Sequence, residues 1–135
     1  MIFIAVYVDS AERVDVCQLL KHPRKYAVKM VEVRASVEPT YHGTWLEQKG
    51  CDGALLIVLP QQIPDYTGPV RLIEDAEFER YKMGLGTVEG APRFTGVLIG
   101  QFEYKRWGRS FGNEIRRRLV LHAVRDGILT QRPEQ

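Results

Sequence analysis

From Val28 onward the chain takes up a period of two. Val31, Val33, Ala35 and Val37 alternate with Glu32, Arg34, Ser36 and Glu38. Successive side chains of a strand point to opposite faces, so this pattern sets one face in a core and the other in water. A chain that opens its core this way is committed to a sheet with one dry side. Pro39 is read as the end of the strand, and Tyr41 to Gln48, with Thr44, Trp45 and Leu46, as the returning strand of a meander. After the turn cluster Lys49-Gly50-Cys51-Asp52-Gly53 comes Ala54-Leu55-Leu56-Ile57-Val58-Leu59, an apolar run too short for a typical helix and bounded by glycine and proline. It reads as a third strand, buried on both faces.

Two further strands follow. Phe94 to Tyr104 is one, interrupted by Gly96 and Gly100, and glycines inside a strand mark the bulges or bends that let a small barrel coil. Arg116 to Val124 is the other, with Leu119, Leu121 and Ala123 on one face and Val120 and Val124 on the other, and Asp126 to Gln135 is left as a polar, fraying tail. Two helices are expected. A short one runs from Glu12 to Lys21 and is stopped by His22-Pro23. A longer one runs from Val70 to Met83, with Leu72, Ile73, Ala76, Phe78 and Tyr81 at helical spacing and Gly84 as its cap, followed by a linker to Pro92.

At 135 residues the chain suits one domain, with no repeat and no second domain boundary. Nineteen basic against 17 acidic residues give a net charge of +2, too balanced to imply a nucleic-acid or membrane partner by itself. No apolar run reaches 18 residues, so no membrane span is expected. Ile2 to Val8 followed by Asp9-Ser10-Ala11 reads either as the remnant of an export signal or as an extra strand on the barrel. Cys17 and Cys51 suffice for one bridge, or serve as small core residues if free. Together with the export reading they favour a periplasmic or secreted location over a cytoplasmic one.

A three-strand meander, a helix between strands three and four and a final strand pair is the chain order of the OB-fold, a mainly β, five-stranded Greek-key barrel. The sequence also resembles a loose group of uncharacterised bacterial OB-fold-like proteins, many of them exported. The likeness rests on Val16-Cys17-Gln18-Leu19-Leu20 with Pro23 and Tyr26, on Lys29 to Arg34, on Trp45-Leu46 and Cys51, on Gly96 and Gly100-Gln101-Phe102, and on Phe111-Gly112. It covers about two thirds of the chain in short, mostly structural pieces. It implies the barrel and a Cys17–Cys51 disulfide, and it carries no activity. The chain departs from the group in having no convincing export signal.

One cluster stands apart as chemistry. Tyr104-Lys105-Arg106-Trp107-Gly108-Arg109-Ser110-Phe111, then Arg116-Arg117-Arg118, gathers six basic side chains and three aromatics between strands four and five. In an OB-fold that connection is one of two loops that grip single-stranded nucleic acid or oligosaccharide, with aromatic faces for stacking and guanidinium groups for phosphate. Lys105, Arg106, Trp107, Arg109 and Phe111 are therefore the expected ligand contacts, joined by Tyr41 on the first loop. The plain alternative has Tyr104 and Trp107 capping the barrel end beside a solvated basic edge. Cys17, His22, His42 and Cys51 are zinc-type ligands but lack the close pairs of structural sites, so no metal and no cofactor is expected. Glu74, Asp75, Glu77 and Glu79 read as a solvated helix face, and His122 as a satisfied, half-buried histidine. No nucleophile elbow, phosphate loop or Ser-His-Asp arrangement occurs, and Gly84-Leu85-Gly86 misses the dinucleotide spacing. The expected function is a non-enzymatic binding module for single-stranded nucleic acid or another anionic ligand, the alternative a structural or envelope-associated domain that binds a protein partner.

Overall fold

Asp15 opens the first helix with a reciprocal cap. Its carboxylate accepts from the Gln18 amide at 2.7 Å, while the Gln18 side-chain oxygen accepts from the Asp15 amide at 2.9 Å. In this computed structural model, which describes residues 11–40, 43–64, 66, 73, 76, 78–79, 93–112 and 114–130, helix α1 is therefore Val16–Lys21. The residues before it, expected to be helical, are freed to form strand β1, Glu12–Val14, parallel to the next strand. Pro23, with its fixed backbone angle, starts a second turn, α2, Pro23–Tyr26.

Strand β2, Met30–Thr40, runs past Pro39, which pairs with Thr44 of β3, Gly43–Glu47. Proline lacks the N–H that a ladder needs, yet here the strand continues through it, so the expected stop falls one residue short. β4 is Leu55–Val58, followed by a 3-10 turn at Pro60–Gln62. β5 is Arg93–Tyr104 and β6 Arg117–Thr130. β6 extends six residues beyond the expected strand end at Val124, because Leu129 and Thr130 pair with Phe94 and Arg93 instead of fraying.

The strands follow the order β1-β2-β3-β4-β6-β5, and a further pairing of β2 with β5 closes β2, β3, β4, β6 and β5 into a five-stranded barrel. One edge of β2 carries β5 from Met30 to Val37. The other carries β1 at Val31–Val33 and β3 from Ser36 onward. The barrel pairings are antiparallel except the β4–β6 seam, which is parallel at Leu56–Val58.

The barrel interior holds Val31, Val33, Val37, Leu46, Leu55, Phe94, Leu98, Phe102, Leu119 and Leu121, and Leu19 and Tyr26 of the two short helices pack on the same cluster. Burial of a valine, leucine or phenylalanine side chain stabilises by about 1.5–3 kcal/mol, so this cluster dominates the fold. The glycines of β5 sit where the register slips, between Thr95 and Val97 and between Ile99 and Gly100. Both extra residues belong to β6. His122 is one, and the other lies at Asp126, whose φ of 54° is left-handed. The bulge at His122 reverses the faces of Ala123 and Val124, and the second bulge restores the original alternation, with Leu129 packed on the core and Ile128 exposed. Val124 points into the barrel beside Leu119 and Leu121, whereas Ala123 faces outward with Val97 and Ile99, contrary to the simple alternation expected.

Of the helix expected over Val70 to Met83, only Ile73, Ala76, Phe78 and Glu79 are among the described residues. Ile73 is not helical. It bridges Ala123 in parallel, donating its amide to the His122 carbonyl at 3.0 Å and accepting from the Val124 amide at 2.8 Å. Phe78 is buried edge-on against Phe94, with ring centres 5.1 Å apart. The first eleven residues, offered as signal remnant or extra strand, lie outside the described residues apart from Ala11, which packs on the outward cluster. No helix among the described residues is long and apolar enough to cross a membrane.

Cys17 on α1 and Cys51 in the β3–β4 connection form a disulfide, their Cα atoms 5.3 Å apart. The Val16 amide donates to the Gln48 side chain at 2.9 Å beside it, so the helix is held to the turn twice.

Candidate functional site

The β5–β6 connection carries the clustered basic and aromatic residues, and its shape follows from its own hydrogen bonds. The Lys105 amide donates to the Arg116 carbonyl at 2.9 Å as the last rung of the hairpin. Beyond it the chain turns back at Phe111 to Ile115, with the Phe111 amide on the Ile115 carbonyl at 2.8 Å and the Ile115 amide on the Gly112 carbonyl at 2.9 Å. Gly108 and Gly112 take the positive φ values, 75° and 117°, that such reversals require.

The six basic side chains divide into two groups. Arg116 is engaged with the loop backbone, its guanidinium donating to the carbonyls of Lys105 at 3.1 Å and Gly108 at 3.0 Å. Arg118 donates to the Glu103 carboxylate at 2.6 Å and lies 4.0 Å above the Phe111 ring. Arg117 is half-buried, paired across the hairpin with Tyr104. Lys105, Arg106 and Arg109 are exposed. The Lys105 ammonium stands 4.6 Å from the Phe111 ring centre and the Arg106 guanidinium 4.9 Å from the Trp107 ring centre. Arg109 makes no hydrogen bond or ion pair among the described residues.

The aromatics divide as well. Tyr104 is half-buried and packs against the main core. Phe111 is half-buried between the cations of Lys105 and Arg118. Trp107 is 77% exposed and caps nothing. A tryptophan so placed forgoes most of its hydrophobic burial, on a loop that Arg116 holds in shape. Chemically this is a flat apolar face with a guanidinium over it, on a loop that also carries the exposed cations Lys105 and Arg109.

Across the barrel wall, one register row joins Trp45 of β3 to Leu56 of β4, Arg118 of β6 and Glu103 of β5. Trp45 is half-buried on this outer face, since its neighbour Leu46 points inward. Tyr41 and His42 lie outside the described residues, so the first loop's expected contribution has no geometry here.

Sequence reasoning read His122 as a satisfied histidine but did not find its partner, Tyr66. His122, 6% exposed in its bulge, is hydrogen-bonded through Nε2 to the Tyr66 hydroxyl at 2.9 Å. Burial lowers the His122 pKa below 6.5, so the ring is neutral near pH 7. Burial also raises the Tyr66 pKa, and the Glu103 carboxylate adds to the effect. The bulge was signalled by Gly100 opposite, but Tyr66 sits in a segment with no periodicity to announce it.

Two open grooves lie elsewhere. One, of about 410 Å³, is lined by Arg13, Glu32, Arg34 and Arg125, and there Glu32 pairs with both Arg13, at 3.1 Å, and Arg125. The other, of about 630 Å³, runs past Ser36, Gln48, Lys49 and Cys51. Neither is lined by the 105–116 loop. No group of three or more His, Cys, Asp or Glu residues among the described residues is placed to hold a metal ion. No protein-family model, no curated protein and no solved structure matches the chain.

Proposed function

We propose that this chain is a non-enzymatic binding module of the OB type, akin to the uncharacterised bacterial proteins it resembles, and that the β5–β6 loop binds single-stranded nucleic acid. The strand order supports the OB assignment: a meander of β2, β3 and β4, a final β5–β6 pair, and a barrel closed by β2 with β5. The observation that carries the ligand reading is Trp107, 77% exposed beneath the Arg106 guanidinium on a loop that Arg116 fixes. Stacking on an exposed ring tolerates any base, and the neighbouring cations meet the phosphates.

The test is binding of fluorescent single-stranded DNA and RNA at low and moderate salt, beside the variant Arg106→Ala/Trp107→Ala/Arg109→Ala. Three cations on three phosphates give a log–log salt slope near −2, so affinity drops roughly twentyfold for a fourfold rise in salt. Loss of Trp107 stacking removes about 1–3 kcal/mol per base. Absence of binding by the intact protein, or binding indifferent to salt, refutes the reading and leaves the loop as surface and a protein partner as the better account.

A further inference from the structure

The loop is not the whole of the basic surface at that end of the barrel. From Lys21 to Val31 the chain holds Lys21, Arg24, Lys25 and Lys29 and no acidic residue. Arg24, Lys25 and Lys29 are exposed around the turn that leads from α2 into β2. This turn is fastened to the last residues of β5. The Val28 amide donates to the Phe102 carbonyl at 2.8 Å, the Phe102 amide to the Lys29 carbonyl at 2.9 Å, and the Gln101 side chain to the Val28 carbonyl at 3.3 Å. The next β5 residues, Glu103 and Tyr104, pair on the other edge with Arg118 and Arg117, which lead into the 105–116 loop. The turn and the loop thus lie at the same end of the barrel, the turn along one edge of β5 and the loop beyond its last residue.

Val28 is the odd residue of the turn. It is 74% exposed and has a φ of 59°. A β-branched side chain in the left-handed region is a genuine outlier, and its neighbours hold it there through both of its backbone polar groups. Glycine would take that angle without strain. Valine therefore costs stability at a position where its side chain makes little return by burial, and it stands among cations beside the stacking loop.

We infer that the Arg24–Lys29 turn is a second arm of the nucleic-acid site, with Lys25 and Lys29 meeting phosphates and the Val28 side chain packing against a base or sugar, so that one single strand crosses the end of β5 from Trp107 to Val28. The inference rests on the reading proposed above for the loop. Of the acidic residues of the β5–β6 hairpin, Glu103 is already paired with Arg118, and Glu114 of the loop is exposed.

The experiment compares the intact protein with Val28→Gly, with Lys25→Ala/Lys29→Ala and with the triple loop variant, using a fluorescent single-stranded oligonucleotide over a salt series and thermal melts of each protein. Val28→Gly should melt at the same or a higher temperature and bind roughly tenfold more weakly. Lys25→Ala/Lys29→Ala should flatten the log–log salt slope by about 1.4. If both turn variants bind like the intact protein while the loop variant loses binding, the second arm is overturned and the loop reading stands. If Val28→Gly melts lower, its side chain is structural, and the salt slope of the lysine variant alone decides, an unchanged slope overturning the arm. If the intact protein binds no single strand at any salt, the loop reading falls and the arm falls with it.

Discussion

Opening the Cys17–Cys51 bridge should lower the stability of this barrel by an amount that the chain itself sets. The bridge closes a loop of 34 residues. The entropy that such a closure removes from the unfolded chain corresponds to about 3.8 kcal/mol at 25 °C. Unfolding of a 135-residue protein carries an entropy of about 0.28 kcal/mol per degree near its midpoint, so the loss corresponds to about 13 °C in Tm. The native state should survive, because β2 to β6 close without the bridge and Leu19 and the Val16–Gln48 hydrogen bond still seat α1. The assay is thermal and urea unfolding followed by circular dichroism, with and without reductant, beside Cys17→Ser/Cys51→Ser. Reductant should lower Tm of the intact protein by about 8–15 °C, raise the urea m-value because the reduced chain unfolds further, and leave the variant unmoved. A shift below about 3 °C would refute the reasoning, since the bridge would then join two segments already held together in the unfolded chain.

Two other outcomes follow from the β5–β6 hairpin. His122 is neutral in the fold and takes up a proton near pH 6.5 once unfolded, so its contribution is complete above about pH 7.5 and is lost as pH falls through 6.5 toward its lower folded value. Tm measured from pH 8 to 5.5 should decline accordingly and the decline should flatten in His122→Gln, and identical slopes for the two proteins would sink the assignment. A methyl group at Gly100 would meet the Val120 carbonyl of the neighbouring strand, whereas one at Gly96 would lie 2.9 Å from the Phe94 ring and 3.1 Å from the Arg125 carbonyl. Gly100→Ala should therefore cost about 1–3 kcal/mol and Gly96→Ala less, because a ring tilts more easily than a ladder strand moves, and equal Tm values for the two variants would contradict the geometry.

The residues whose role depends on local pattern were readable from the sequence. Val31 to Val37, Leu55 to Val58 and the glycines of β5 appear where their periodicity and backbone needs place them, since alternation and turn chemistry act over a few residues. The readings that failed are those decided by partners distant in sequence. Glu12–Val14 has no helical obstacle of its own, and only the Asp15-x-x-Gln18 cap, which the sequence does display, together with the exposed edge of β2 makes it a strand. The inward turn of Val124 depends on a bulge at His122 opposite Gly100, and alternation cannot report an inserted residue. The tail persists as strand to Thr130 because β5 is long enough to pair with it. In the basic loop, composition showed six cations and three aromatics in one stretch. It could not separate Arg116 and Arg118, engaged with carbonyls and Glu103, from the exposed Lys105, Arg106 and Arg109.

The double use of β2 bears on how the protein must be made. Its first edge is filled by β1 and β3, neighbours in the chain, but its second waits for β5, where Val37 meets Phe94 and Met30 meets Gln101. At translation rates of about 5–20 residues per second, that edge stands open for roughly 3–13 s while the missing strand is synthesised. β4 waits about as long for β6, its partner along the parallel seam. During that interval the nascent chain presents Val31, Val33 and Val37 on an unpaired ladder, a template for pairing with other chains. A message cut short between β4 and β5 would therefore encode a sheet with an open edge, free to pair with another chain.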